Sequence, residues 1–119
     1  SNVIFGVRNL DDFVTFHQLN PEILTLGFVT TPFEIEEFAD AGVDIIRLWA
    51  WWIFLYPDLV ERVRQLEKPV WVTAGDASRR DLERLISLGV DGIITDHPEI
   101  MVELQSGVEV AAPGANKPP

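Results

Sequence analysis

The sequence predicts an α/β fold built from repeated parallel βα units, and three observations carry that prediction. One short grammar occurs twice, as Ala41-Gly42-Val43-Asp44-Ile45-Ile46 and as Gly89-Val90-Asp91-Gly92-Ile93-Ile94, with Gly42 and Gly89 standing 47 positions apart. Each glycine follows an apolar-periodic run and suits the left-handed position just past a helix. Each is followed by apolar residues without polar alternation, as in a strand covered on both faces. One further helix–strand pair fits between the copies, so the implied unit is about 24 residues, short for a βα unit but workable. Five apolar runs alternate with amphipathic segments in all, which selects a parallel sheet with right-handed crossovers.

Val3 to Val7 is the first strand, and Leu10, Phe13, Val14 and His17 mark one face of the helix after it. Asn20-Pro21 punctuates, and Ile23 to Val29 reads as the second strand. Thr31-Pro32-Phe33-Glu34 then offers an N-cap, a proline at the first helical position and an acid three residues after the cap, ahead of a buried stripe of Ile35, Phe38 and Ala39. Val43 to Trp49 is the third strand. The apolar run Trp49 to Tyr56 shows no period and reads as an aromatic loop, after which Pro57-Asp58 starts a helix carrying Leu59, Val63 and Leu66. Lys68-Pro69 leads into the fourth strand, Val70 to Ala74; Ser78 caps a helix facing inward through Leu82, Leu85 and Ile86. Gly92 to Thr95 is the fifth strand, and Pro98 pre-sets the first turn of a last helix reaching Leu104. From Gln105 onward Ser, Gly, Ala, Asn, Lys and Pro replace the periodic pattern, so residues 105–119 are expected to be a disordered tail.

With 119 residues, 47% of them hydrophobic and four of them Trp, the chain can build a real core. It has no cysteine, which excludes disulfides and thiolate metal sites. No apolar run approaches the roughly 20 residues of a membrane span, so a soluble protein is expected, with the cytoplasm a compatible compartment. The formal charge of −10, from 9 Lys and Arg against 19 Asp and Glu, disfavours nucleic acid or an anionic membrane as a bulk electrostatic partner.

The segment Gly89 to Glu99, GVDGIITDHPE, resembles the C-terminal signature of the glycerophosphodiester phosphodiesterases, and Lys68-Pro69-Val70-Trp71-Val72-Thr73 precedes it at the family's distance. Val3 to Arg8 and Val43 to Trp49 also look like later barrel strands of that family. The resemblance implies that residues 1–104 are the C-terminal half of a (β/α)8 TIM-type barrel, its strands four to eight. It implies hydrolysis of a glycerophosphodiester to glycerol 3-phosphate and an alcohol, in lipid metabolism, with a divalent cation held by carboxylates and two histidines as acid and base. The family keeps those groups in early strands, in a His-Arg-Gly string, a Glu-x-Asp pair and a following His-Asp; none occurs here. This chain alone is therefore expected to bind no cofactor, to carry neither catalytic nor metal residues, and to be inactive. A complete barrel also needs about 200 residues or more, so the expected partner is the missing N-terminal half-barrel segment. The alternative is a non-catalytic half-barrel module that pairs its open edges with a second copy or completes another protein's barrel.

Four residues are candidates for the substrate-cavity wall: Arg8, Arg47, Trp49 and Trp71. Alternation puts Ile45, Arg47 and Trp49 on one face of their strand, where an arginine either contacts a substrate phosphate or carboxylate or snorkels to the strand end, the simpler expectation. The aromatic run Trp49 to Tyr56 is either a rim for a lipid-derived substrate or ordinary packing. Asp96 is expected to cap the helix that Pro98 opens, His17 to pack at a half-buried helix edge and His97 to be a loop residue. Glu34, Glu36, Glu37 and Asp40 read as a solvated face.

Overall fold

Six strands pair in chain order, each parallel to the next, in a single curled half-barrel sheet. The computed structural model describes residues 3–104 and 107–113. Its elements are β1 (Ile4–Val7), α1 (Leu10–Leu19), β2 (Leu24–Phe28), α2 (Ile35–Ala41), β3 (Ile45–Trp49), α3 (Ala50–Leu55), α4 (Asp58–Arg64), β4 (Val70–Gly75), α5 (Arg79–Ser87), β5 (Gly92–Thr95), α6 (Pro98–Leu104) and β6 (Glu109–Ala111).

Strand alternation assigns each residue to one of two faces. Val7, Val29, Ile46, Leu48, Val70, Val72 and Ile93 point to the convex face, where they join Phe13, Phe38, Ile53, Val63, Leu82, Leu85 and Met101 of the helices in the main core. Leu26, Ile45 and Trp71 point to the concave face and form a second, smaller cluster. Trp71 lies across the backbone of Gly92 in the adjacent strand, where any Cβ would overlap its indole.

The helix signals work largely as the sequence suggests. Ile35, Phe38 and Ala39 are the buried residues of α2, and Gly42 ends it with φ +104°. Gly89 has φ +87° after α5, whose N-cap Ser78 accepts the Asp81 N–H at 3.2 Å. Pro32–Glu34 form a single 3-10 turn ahead of α2, and the Glu34 carboxylate accepts the N–H groups of Thr30 and Thr31 at 2.7 and 3.3 Å. Glu36 is likewise engaged, bound through both oxygens by Arg62 of α4. The hydroxyl of Thr95, not the Asp96 carboxylate, accepts the His97 N–H before α6, at 3.0 Å. His17 is exposed and stacks on Phe13 at 5.3 Å between ring centres.

Two segments differ from expectation. The aromatic run is not a loop after Trp49: Ala50 to Leu55 coils into α3, which buries Ala50, Trp52 and Ile53 and leaves Trp51 and Leu55 outside. Six residues are too few for a helical period to stand out against a run that is apolar at every position. The expected disordered tail contains β6, with Gly92, Ile93 and Ile94 opposite Glu109, Val110 and Ala111. The unpaired edge of β5 supplies the reason, since its backbone groups need partners and a short extended run satisfies them. The rest of the tail expectation, at 105–106 and 114–119, lies outside the described residues.

The repeated Asp has one job in both copies. Asp44 Oδ2 accepts the N–H of Thr25 at 2.9 Å and its hydroxyl at 3.1 Å, and Asp91 Oδ2 accepts the N–H of Val70 at 2.8 Å. Each carboxylate thus clamps the start of the preceding strand to its neighbour. Asp44→Ala would leave an N–H of fully buried Thr25 without its acceptor, so urea unfolding is expected to show a loss of about 1–3 kcal/mol, with Asp44→Asn losing less because an amide oxygen still accepts.

Candidate functional site

Strands β2 to β6, with Arg8 at the exit of β1, wall one cavity of about 500 Å³ on the concave face. Laid flat at about 4.8 Å per strand, β1 and β6 would stand roughly 24 Å apart, so the shared cavity is a direct consequence of the sheet's curl. Its walls are Arg8 just past β1, Leu26, Phe28 and Thr30 along β2 and its exit, Arg47 and Trp49 of β3, Thr73 of β4, Ile94 of β5, and Ala111 to Pro113 from β6 onward. Among the described residues no carboxylate lines it, in a chain with 19 acids.

Arg47 is the centre of this site. Ile46 and Leu48 are wholly buried against the helices, so β3 alternation commits Arg47 to the concave side. It does not snorkel: only 5% of the residue is exposed, and its Nε and Nη1 are buried without a hydrogen-bond acceptor. The guanidinium carbon instead lies 4.3 Å from the ring centre of Trp49 and 4.8 Å from that of Phe28. Burial lowers its pKa to about 10, and the like charge of Arg8 adds to that; the group remains cationic at neutral pH. Two cation–π contacts contribute about 2 kcal/mol each when desolvated. Taking the charge out of water costs several kcal/mol, and each unmade N–H bond adds about 1–3 kcal/mol. The fold therefore holds a cation it does not fully compensate.

The structure brings Arg8, Arg47 and Trp49 together at one cavity and sets Trp71 apart. Trp71 stands beside Arg47 in register and shares the concave side, but it is packed with Leu26 and Ile45 beneath the cavity. A second depression of about 480 Å³ begins at Thr30 and Trp49, which also wall the first, and runs over Pro32 to Trp51 and Trp52. Beyond it Phe33, Trp51, Leu55 and Tyr56 are each at least 60% exposed, an aromatic margin at the C-terminal ends of β2 and β3.

One constellation escaped the sequence. His97 Nε2 is hydrogen-bonded to Asp76 Oδ1, while its Nδ1 stands 3.4 Å from Glu99 Oε1. Asp76 follows β4 and His97 follows β5 by two residues, so membership of adjacent parallel strands was the available signal. The hydrogen bond that the imidazole donates to Asp76, reinforced by the charges of Asp76 and Glu99, raises its pKa. Among the described residues no group of three or more His, Asp or Glu side chains is placed to hold a metal ion.

Two outcomes follow from these environments. Arg47→Met, similar in length and without the charge, is expected to raise stability by about 1–4 kcal/mol in urea unfolding. The His97 imidazole, followed by proton NMR, is expected to titrate above the ordinary value of about 6.5 and to fall back towards it in Asp76→Asn. Its contribution to folding is accordingly full below pH of about 6.5 and fades as pH rises through the higher folded-state value. No protein-family model matches this chain, and no curated protein sequence matches it.

Proposed function

We propose that the chain is the C-terminal half of a glycerophosphodiester phosphodiesterase-like (β/α)8 barrel, with β1 to β5 as strands four to eight. The observation that carries this reading is a parallel sheet in strict chain order whose concave cavity is walled by cations and, among the described residues, by no acid. Diester hydrolysis needs positive charge on the phosphoryl oxygens and an acid for the leaving alkoxide. Arg47 and Arg8 suit the first requirement, with Trp49 walling the same cavity and Trp71 supporting its floor. The second requirement, and the cation, fall to the early-strand segment bearing the His-Arg-Gly and Glu-x-Asp motifs.

One observation favours a second reading, a non-catalytic half-barrel module. β6 already occupies the edge of β5 on which a first barrel strand would pair. A chain that covers its own edge has less need of a partner there.

Phosphorus NMR of glycerophosphocholine with added magnesium or calcium tests both. The chain alone is expected to release no glycerol 3-phosphate, and the chain joined to an early-strand segment to release it, with Arg47→Met lowering that rate on the order of 10²- to 10³-fold. Chelator-sensitive release by the chain alone would overturn the reading, and silence of the joined protein would favour the module.

A further inference from the structure

We infer that the concave cavity of this chain, by itself, binds a single-chain anionic amphiphile, its phosphate-monoester or carboxylate head on Arg47 and Arg8 and its apolar arm along Trp49. The inference goes beyond the catalytic reading, because it requires no further strands and no reaction. Three independent observations lead to it.

The first is an unanswered charge. Arg47 is 95% buried by its 5% exposure, it lines the cavity, and two of its nitrogen atoms have no acceptor. Arg8 adds a second cation at the same wall, and no acid among the described residues lines it. An anion is the one class of head group that both arginines attract, and a ligand cation is repelled. The Thr73 hydroxyl stands at the same cavity and suits a remaining oxygen of such a head, whereas the Thr30 hydroxyl is already donated to Glu34 Oε1 at 2.7 Å.

The second is the character and size of the space. About 500 Å³ lies within the roughly 300–1,000 Å³ of small-molecule sites, far more than a bare inorganic anion fills, and Leu26, Phe28 and Ile94 give it apolar walls. The third is its continuity: Thr30 and Trp49 belong to both this cavity and the depression leading to Trp51 and Trp52. An extended apolar arm can follow that course from the buried charge to the aromatic margin. A flat aromatic ligand is less suited, since the guanidinium already takes a face of Phe28 and of Trp49.

The test is calorimetric titration of the whole chain with octyl phosphate and octanoate, both monomeric in solution, with Trp emission as a second readout. Inorganic phosphate, octanol and octyltrimethylammonium serve as part-ligands. Saturable binding of octyl phosphate or octanoate is expected, at least about tenfold tighter than any part-ligand. The stronger of the two names the head group. Arg47→Met is expected to weaken it about 10- to 100-fold while keeping or raising the thermal midpoint, and the solvent-exposed Arg8→Gln to weaken it less. Octanol binding as tightly as octyl phosphate, unchanged binding by folded Arg47→Met and Arg8→Gln, or no binding up to about 1 mM would each overturn the inference. So would binding confined to phosphatidate vesicles, which would mark a membrane-surface contact instead. Failure of the joined enzyme with binding intact removes only the catalytic reading; active joined enzyme without amphiphile binding removes only this one.

Discussion

Sequential parallel pairing is the constraint on which everything else depends. When each strand of a parallel sheet is followed by a crossover to its immediate neighbour, right-handedness sends every helix to the same side. One face of the sheet is then sealed by helices, and the other has only its own curl for cover. That division appears residue by residue in β3, where Ile46 and Leu48 are wholly buried under helices while Arg47 and Trp49 face the hollow. The two Asp clamps serve the same geometry, since each fixes the start of one strand to the next and so sets the register in which inward residues meet.

Within the hollow, the energetics are unusual because a cation is buried without a counterion. Aromatic faces at 4.3 and 4.8 Å offset part of the desolvation cost, and the buried Nε and Nη1 of Arg47 have no acceptor among the described residues. A methionine at this position would serve the fold better. An uncompensated arginine at the wall of a cavity is most simply understood through what it can attract, an anionic group.

Much of this architecture was legible in the sequence because it rests on local rules. Glycine after an apolar-periodic run, proline at the first turn and uninterrupted apolar strands each have one dominant physical meaning, and Gly42, Gly89, Pro32 and Val70 to Ala74 behave accordingly. The face of Arg47 followed from alternation, but its burial did not, because alternation says nothing about how strongly a sheet curls. β6 was hidden by composition: Ser, Gly and Pro around it outweighed three residues whose pairing depends on an open edge elsewhere. The Asp76–His97 pair was hidden by distance along the chain, since 21 residues separate two groups that only the sheet brings together.

That same short strand sets the terms on which any longer strand could join. β6 is held to β5 through only three register positions, yet it is tethered to α6 and cannot diffuse away. Its effective concentration at the edge is therefore on the order of millimolar, and an incoming strand at micromolar concentration must outcompete it through a longer ladder. On the half-barrel reading, five strands and three make eight only if β6 yields its place. Completion of the barrel would then be a displacement reaction, its rate capped by how often three residues let go.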